Sequence, residues 1–162
     1  YRELYGCTGQ PDEGVKWSPD VIAEKIREIE EKYEPKGALI QGVADPAIWD
    51  DSRGYAGSIV NQMERYGVVW EKGDHDRMAG KMQLHRRLRF DESGRPMLYV
   101  FKNCKDFIRT VPALCYDEMD VEDVDTKAED HIYDETRYMC MLDPISVPVK
   151  PAGKSYTYNP LQ

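Results

Sequence analysis

Apolar and charged residues recur with helical spacing near the start of the chain. The apolar stripe consists of Val21, Ile22, Ile26, Ile29 and Tyr33. Glu and Lys residues occupy the opposite face, as in an amphipathic surface helix. Ser18 is a favourable N-cap and Pro19 suits the first helical position. The pattern therefore predicts a helix that begins at Pro19 and ends before Pro35.

Two short apolar runs, residues 38–44 and 68–71, flank a capped helical segment at 58–66. This alternation predicts parallel strands joined by a right-handed crossover, and therefore an α/β fold. Asp45 follows the first run directly. Open α/β sheets bind ligands beyond the carboxyl ends of their strands, so Asp45 is a candidate site residue. An Asx turn that only caps the local backbone explains the same residue equally well.

The second half of the chain predicts helices around a hairpin. Residues 74–88 have helical periodicity, and the predicted inner residues are Met78, Met82, Leu84 and Leu88. Residues 89–101 read as a hairpin around a turn-rich connection. A short helix at 104–114 and an acidic loop at 117–130 follow. The last helix is expected to end near Leu142, and residues 143–162 to form an extended tail.

The outer face of the 74–88 helix carries the one concentrated basic patch of the chain. Its members are Arg77, Lys81, His85, Arg86 and Arg87, with Arg89 just beyond. Contact with nucleic-acid phosphates is one interpretation. A solvated face that pairs with nearby acids is the alternative, and on these residues alone it is the stronger one.

Length and composition favour a single globular domain with a real core. The chain has 162 residues, 41% hydrophobic and 32% charged, with a net charge of −8. A chain this acidic should not bind nucleic acid non-specifically, although metal ions and clustered basic residues can still bring DNA to a site. No apolar run approaches the length of a membrane span, and no signal peptide is evident. The four cysteines lack metal-site spacing, which favours reduced thiols in a cytoplasmic protein.

The segment EDHIYDETRY, residues 129–138, places His131 and Asp134 on one face of a helix. Carboxylates and an imidazole suit a hard divalent ion, and Asp45 could converge with them at a strand end. Two ions in such a site would stabilise both the attacking and the leaving oxygen in phosphodiester cleavage. The sequence therefore predicts Mg²⁺ or Mn²⁺ at Asp45, His131 and Asp134. A solvated acidic helix start is the alternative.

Five segments carry a family resemblance in the same order along the chain. They are YRELYG, GVADPAIWD, DRMAGKMQLHRRL, GRPMLYVFKNCKDFIRTVPAL and DVEDVDTKAEDHIYDETRY. Together they resemble the C-terminal nuclease domain of the terminase large subunit of tailed bacteriophages. The resemblance covers residues 1–142, and each segment alone is weak.

The resemblance implies a ribonuclease H-like fold, a mixed sheet flanked by helices, and a metal-dependent endonuclease that cuts concatemeric viral DNA. It assigns Asp45 and Asp134 as catalytic, metal-binding acids, with His131 beside them. The basic helix, through Arg77, Lys81, Arg86, Arg87 and Arg89, would contact double-stranded DNA. The implied partners are the terminase ATPase domain, the small terminase and the portal, in the cytoplasm of a bacterial host.

The resemblance also departs from the family pattern. The family's first catalytic aspartate lies on a strand before YRELYG, and no residue here matches it. We therefore expect a weak nuclease at best, and self-association through a strand edge left open. A catalytically dead prophage remnant that binds DNA or protein is the alternative. An unrelated acidic α/β domain is a third interpretation.

Overall fold

A computed structural model describes residues 3–8, 10, 13–33, 40–52 and 57–146. Within these ranges the chain has an α/β fold, as predicted, with two strands, five α-helices and two short 3₁₀ helices. The predicted tail lies outside the described residues from position 147 onward. The elements are α1 (Pro19–Tyr33), β1 (Gly42–Ala44), α2 (Ile59–Glu64), β2 (Trp70–Lys72), α3 (Arg77–Leu88), α4 (Lys105–Thr110) and α5 (His131–Leu142), with 3₁₀ turns at Pro46–Trp49 and Val111–Ala113.

The two strands pair in parallel, with Gly42 opposite Trp70 and Ala44 opposite Lys72. This confirms the predicted helix–strand alternation, although each strand is shorter than its apolar run. Helix α2 forms the crossover. The Ser58 hydroxyl caps α2 by accepting a hydrogen bond from the Asn61 amide at 3.3 Å. Gly67 follows α2 with φ of +82°, a conformation that favours glycine.

The predicted hairpin at 89–101 is wrong, since these residues contain no strand. The Asp91 carboxylate accepts hydrogen bonds from the amides of Ser93 and Arg95 and holds a local turn. The next two amides, Met97 and Leu98, both donate to the carbonyl of Arg87. Two donors on one acceptor cannot form the alternating ladder of a hairpin. In the described residues the sheet is therefore β1–β2 alone.

One core lies between α1, α2 and β2, and we call it the α1–α2 core. Ala23, Met63 and Val68 are buried there, and Ile22, Ile26 and Trp70 pack against them. The predicted apolar stripe of α1 supplies several of these contacts. Burial of such a stripe contributes most of a short helix's stability.

A second core lies between α3, α5 and the loop before α5, and we call it the α3–α5 core. Its buried residues are Leu84, Val124, Tyr133 and Cys140. Three of the four predicted inner residues of α3 are instead exposed by between a third and a half, namely Met78, Met82 and Leu88. Gly80 explains the difference. A Cβ at Gly80 would lie 3.1 Å from that of Arg137, so α3 turns its smallest residue toward α5.

Residues 3–5, in the first of the five resembling segments, form no strand. The Glu3 carboxylate accepts hydrogen bonds from the amides of Asp106 and Phe107 at the start of α4. All four cysteines are free, as predicted, and Cys140 is buried. In the part of the chain that the structure describes, no helix has both the length and the apolar composition needed to cross a membrane.

Candidate functional site

A cleft of about 650 Å³ opens where β1 ends against α5. Asp45, His131 and Asp134, the three residues predicted from distant parts of the sequence, all line it. Glu135 and Tyr138 of α5 line it as well. The remaining wall is apolar and is shared with the α1–α2 core through Ile22, Ile26, Met63 and Trp70. The fold therefore brings the predicted acids and the histidine into one cavity.

Asp45 is held by two uncharged donors. Its Oδ1 accepts a hydrogen bond from the Ala47 amide at 2.7 Å, and its Oδ2 accepts one from the Tyr138 hydroxyl at 2.8 Å. Burial opposes ionisation, but these bonds and the charges of His75 and Arg137 outweigh it and lower the pKa of Asp45. Asp45 caps the 3₁₀ turn, as the capping interpretation expects. It also lines the cleft, as the site interpretation expects.

Asp134 is held by two arginines. Its Oδ1 accepts a hydrogen bond from Arg137 Nε at 2.7 Å, and both of its oxygens lie 3.2 Å from Arg77 Nη1. The Arg137 side chain is only 2% exposed. Two guanidinium groups neutralise the negative charge that would otherwise attract a metal ion. The Asp134 carboxylate therefore already has two cationic partners within the protein.

Arg77 links Asp134 to the acidic loop. Its Nε donates to Asp123 Oδ2 at 2.5 Å, and its Nη2 lies 3.7 Å from Asp130 Oδ2. Burial alone would raise the pKa of Asp123, but the Arg77 contact lowers it overall. Burial and the charge of Asp134 raise the pKa of Asp130. A predicted DNA-binding residue thus holds together acids from the loop and from α5.

The three predicted metal ligands fit a metal site only in part. His131 has a side chain that is 46% exposed, and its Nδ1 lies 4.0 Å from Asp130 Oδ1. Asp45, His131 and Asp134 share the cleft, but no group of three potential ligands in the described ranges is arranged to hold a metal ion. The residues therefore do not form a ready-made Mg²⁺ or Mn²⁺ site.

The other predicted DNA-binding residues lie partly inside the fold. Lys81 is 7% exposed and donates to the carbonyl of Glu122. Arg86 donates to the Ile145 carbonyl at 3.2 Å, and Arg87 to the side chain of Gln83 at 2.8 Å. Arg89 is exposed at the end of α3. Among these residues Arg89 is the most available to a phosphate.

Sequence reasoning missed several residues of this site. Tyr138 bonds to Asp45, Arg137 to Asp134, and Glu135 lines the cleft. A signal for Arg137 was present, because residues three apart on a helix are neighbours and Arg137 follows Asp134 at that spacing. No local pattern pointed to Asp123 as a partner of Arg77, 46 positions away.

Comparison with protein-family models, with curated proteins and with solved structures found no match to this chain.

Proposed function

We propose that the chain is a ribonuclease H-like nuclease domain of the phage terminase type, acting on double-stranded DNA. One observation supports the proposal above the others. Asp45 and Asp134, which lie in different halves of the chain, line one cleft together with His131. The order of the five resembling segments adds to this. The proposed setting is the bacterial cytoplasm, with the ATPase domain, the small terminase and the portal as partners.

The isolated chain should be weakly active or inactive. The Asp134 carboxylate is already paired with Arg77 and Arg137, and the described residues offer no three-ligand group. We therefore expect Mg²⁺ or Mn²⁺ to bind weakly, through Asp45 and Asp134. Calorimetric titration of Mn²⁺ into the wild type and Asp45→Asn would measure this. Tight binding of two ions by the wild type would contradict the weak-binding part of the proposal.

A plasmid assay tests the nuclease function itself. Supercoiled DNA incubated with the chain and Mn²⁺ should be nicked slowly, and Asp45→Ala should abolish the nicking. Asp51→Ala, on the exposed loop after the 3₁₀ turn, is the matched control. Rapid linearisation that needs Asp45 would show a competent enzyme, contrary to the expected weakness. Nicking that Asp45→Ala leaves unchanged would argue against the proposed site.

DNA binding is proposed for the end of α3, where Arg86, Arg87 and Arg89 follow one another closely. The triple change of these residues to Gln should weaken binding to a short duplex. It should also reduce the slope of log affinity against log salt by about 2–3, because each phosphate contact releases counterions. Changing Lys16, Lys25 and Lys32 together to Gln removes the same charge elsewhere. Fluorescence anisotropy at several salt concentrations compares the two, and equal losses would refute a local DNA surface.

A binding module without catalysis is the second candidate, and the double pairing of Asp134 favours it. Such a module would bind DNA with the same slope of log affinity against log salt, yet it would never nick a plasmid at any Mn²⁺ concentration.

Self-association of the chain is proposed for either function. In the described residues only β1 and β2 form the sheet, so each has an outer edge without a strand partner. Light scattering at rising concentration tests this, and a constant monomeric mass would contradict it.

A further inference from the structure

A second cavity, of about 400 Å³, borders the α3–α5 core and shares no lining residue with the cleft. Its walls are mostly apolar and come from α3, α4, the 3₁₀ turn after α4 and the loop before α5. These wall residues are Leu84, Leu88, Phe107, Val111, Leu114 and Val124. The volume falls within the range of small-molecule sites, which combine apolar walls with a few polar groups. The charge and hydrogen-bond partners that its polar side chains lack therefore indicate which ligand the cavity could bind.

Lys81 brings an ammonium group to this cavity, which the imidazole of His85 also lines. Lys81 is 7% exposed, and its Nζ lies 4.8 Å from the centre of the Tyr116 ring. The ammonium donates to the carbonyl of Glu122, but no described carboxylate lies within ion-pair distance of it. The charge of Lys81 contributes to lowering the pKa of Asp123, but the two side chains form no ion pair. A buried ammonium ordinarily has a carboxylate partner, so Lys81 has capacity for an anion.

Tyr133 is the second polar group. Its side chain is 3% exposed and lines the same cavity, and its hydroxyl is buried without a hydrogen-bond partner in the described structure. Because a water-sized group cannot reach this hydroxyl, the Tyr133 ring forms part of the cavity wall and does not contact the ligand oxygen. The ammonium of Lys81, which has no described carboxylate partner, therefore indicates the kind of ligand group.

We propose that this cavity binds a small amphiphilic carboxylate, with the carboxylate at Lys81 and the apolar chain among Leu88, Val111 and Leu114. Charge decides the ligand class, because an ammonium, an imidazole and two phenol side chains line the cavity and no described carboxylate does. The site is separate from the proposed nuclease cleft, and it does not depend on the proposed function.

Octanoate is the probe, and octanol and octylamine are its neutral and cationic counterparts. Octanoate at millimolar concentration, below micelle formation, should bind and shift the methyl resonances of Leu88, Val111 and Leu114. Octanol and octylamine should bind about tenfold more weakly or worse, since they lack the charge-assisted hydrogen bond. This measurement uses the wild-type chain alone. No shift with octanoate, or equal shifts with octylamine, would overturn the proposal.

Variants then locate the two ends of the ligand. Lys81→Met keeps an unbranched side chain without the charge and should weaken octanoate binding about tenfold. Tyr133→Phe removes only an enclosed hydroxyl and should leave octanoate binding nearly unchanged, whereas Val111→Phe should abolish it by filling the cavity. Lys25→Met is the matched control, because Lys25 likewise stacks on an aromatic ring, that of Trp17 at 4.9 Å. Equal affinity of Lys81→Met and the wild type would refute the assignment.

A second copy of the chain is the competing occupant. If the cavity instead buries part of another copy, Val111→Phe should reduce self-association in sedimentation velocity, and octanoate should compete with it. That result would replace the small-ligand proposal with a dimer contact. Unchanged sedimentation together with lost octanoate binding would support the ligand.

Discussion

The α1–α2 core and the α3–α5 core bury their helices in different ways. The first uses apolar side chains, with Ala23 and Met63 at its centre. The second places Arg137, which is 2% exposed, beside the glycine of α3 and pairs it with Asp134. Apolar contacts tolerate small shifts, whereas a buried ion pair loses both partners when one moves. The candidate site uses both kinds, because the α1–α2 core supplies its apolar wall and the ion pair of Arg137 holds Asp134.

The largest expected effect comes from removing the arginine of the α3–α5 interface. Arg137→Ala should lower the free energy of unfolding by about 3–5 kcal/mol, because it leaves a void at a buried side chain and removes the hydrogen bonds of Arg137 to Asp134 and Tyr138. Arg77 still pairs with Asp134 in this variant. Urea unfolding followed by circular dichroism measures this.

Arg27→Ala is the matched control, since Arg27 pairs with Glu30 one helical turn further along α1 and its side chain is 36% exposed. The control should cost less than about 1 kcal/mol. Similar losses for both would remove the proposed difference between the two regions.

Gly73 gives a smaller test of the same interface. A Cβ at this buried position would lie 2.4 Å from Cδ1 of Tyr138, so Gly73→Ala must move the ring that bonds to Asp45. Overpacking of this kind costs about 1–3 kcal/mol. Gly6→Ala, which meets no atom within 4 Å, should be nearly neutral. Thermal unfolding compares the pair. A Gly73→Ala chain as stable as the wild type would show that Tyr138 is not tightly held.

The sequence anticipated the apolar region better than the charged one. The α1 stripe and the parallel pairing of β1 with β2 both follow from local periodicity. The inner face of α3 did not follow, because Met78 and Met82 fit a helical stripe while Gly80 decides which face approaches α5. Asp45 was found from its place after a strand. Its partner Tyr138 could not be found, because nothing local joins residues 93 positions apart.

The smallest expected effect concerns Asp130. Burial and the charge of Asp134 raise the pKa of Asp130 in the folded chain, so folding binds a proton more tightly there. Its contribution to stability is therefore favourable at low pH and is lost as the pH rises through the raised pKa. At pH 7 the ionised Asp130 is disfavoured by burial and by the charge of Asp134. Asp130→Asn removes that unfavourable charge and should stabilise the chain at pH 7 by less than about 1 kcal/mol.

That gain should shrink as the pH falls through the raised pKa of Asp130, because the wild-type carboxyl then becomes protonated as well. Unfolding in urea at a series of pH values measures the difference between the two chains. Asp51→Asn on the exposed loop is the control and should show no such trend. A loss of stability at pH 7 in Asp130→Asn would mean that the contact with Arg77 at 3.7 Å outweighs the repulsion.

The hydrogen bond between Tyr138 and Asp45 also bears on the order in which the chain folds. It joins positions 93 residues apart, whereas β1 and β2 pair across only 28 positions. Contacts between distant positions form late, because closing a longer loop costs more entropy. During synthesis the β1–β2 unit can pair before α5 has left the ribosome. The cleft should therefore be among the last parts of the molecule to form and, by the same reasoning, among the first to open.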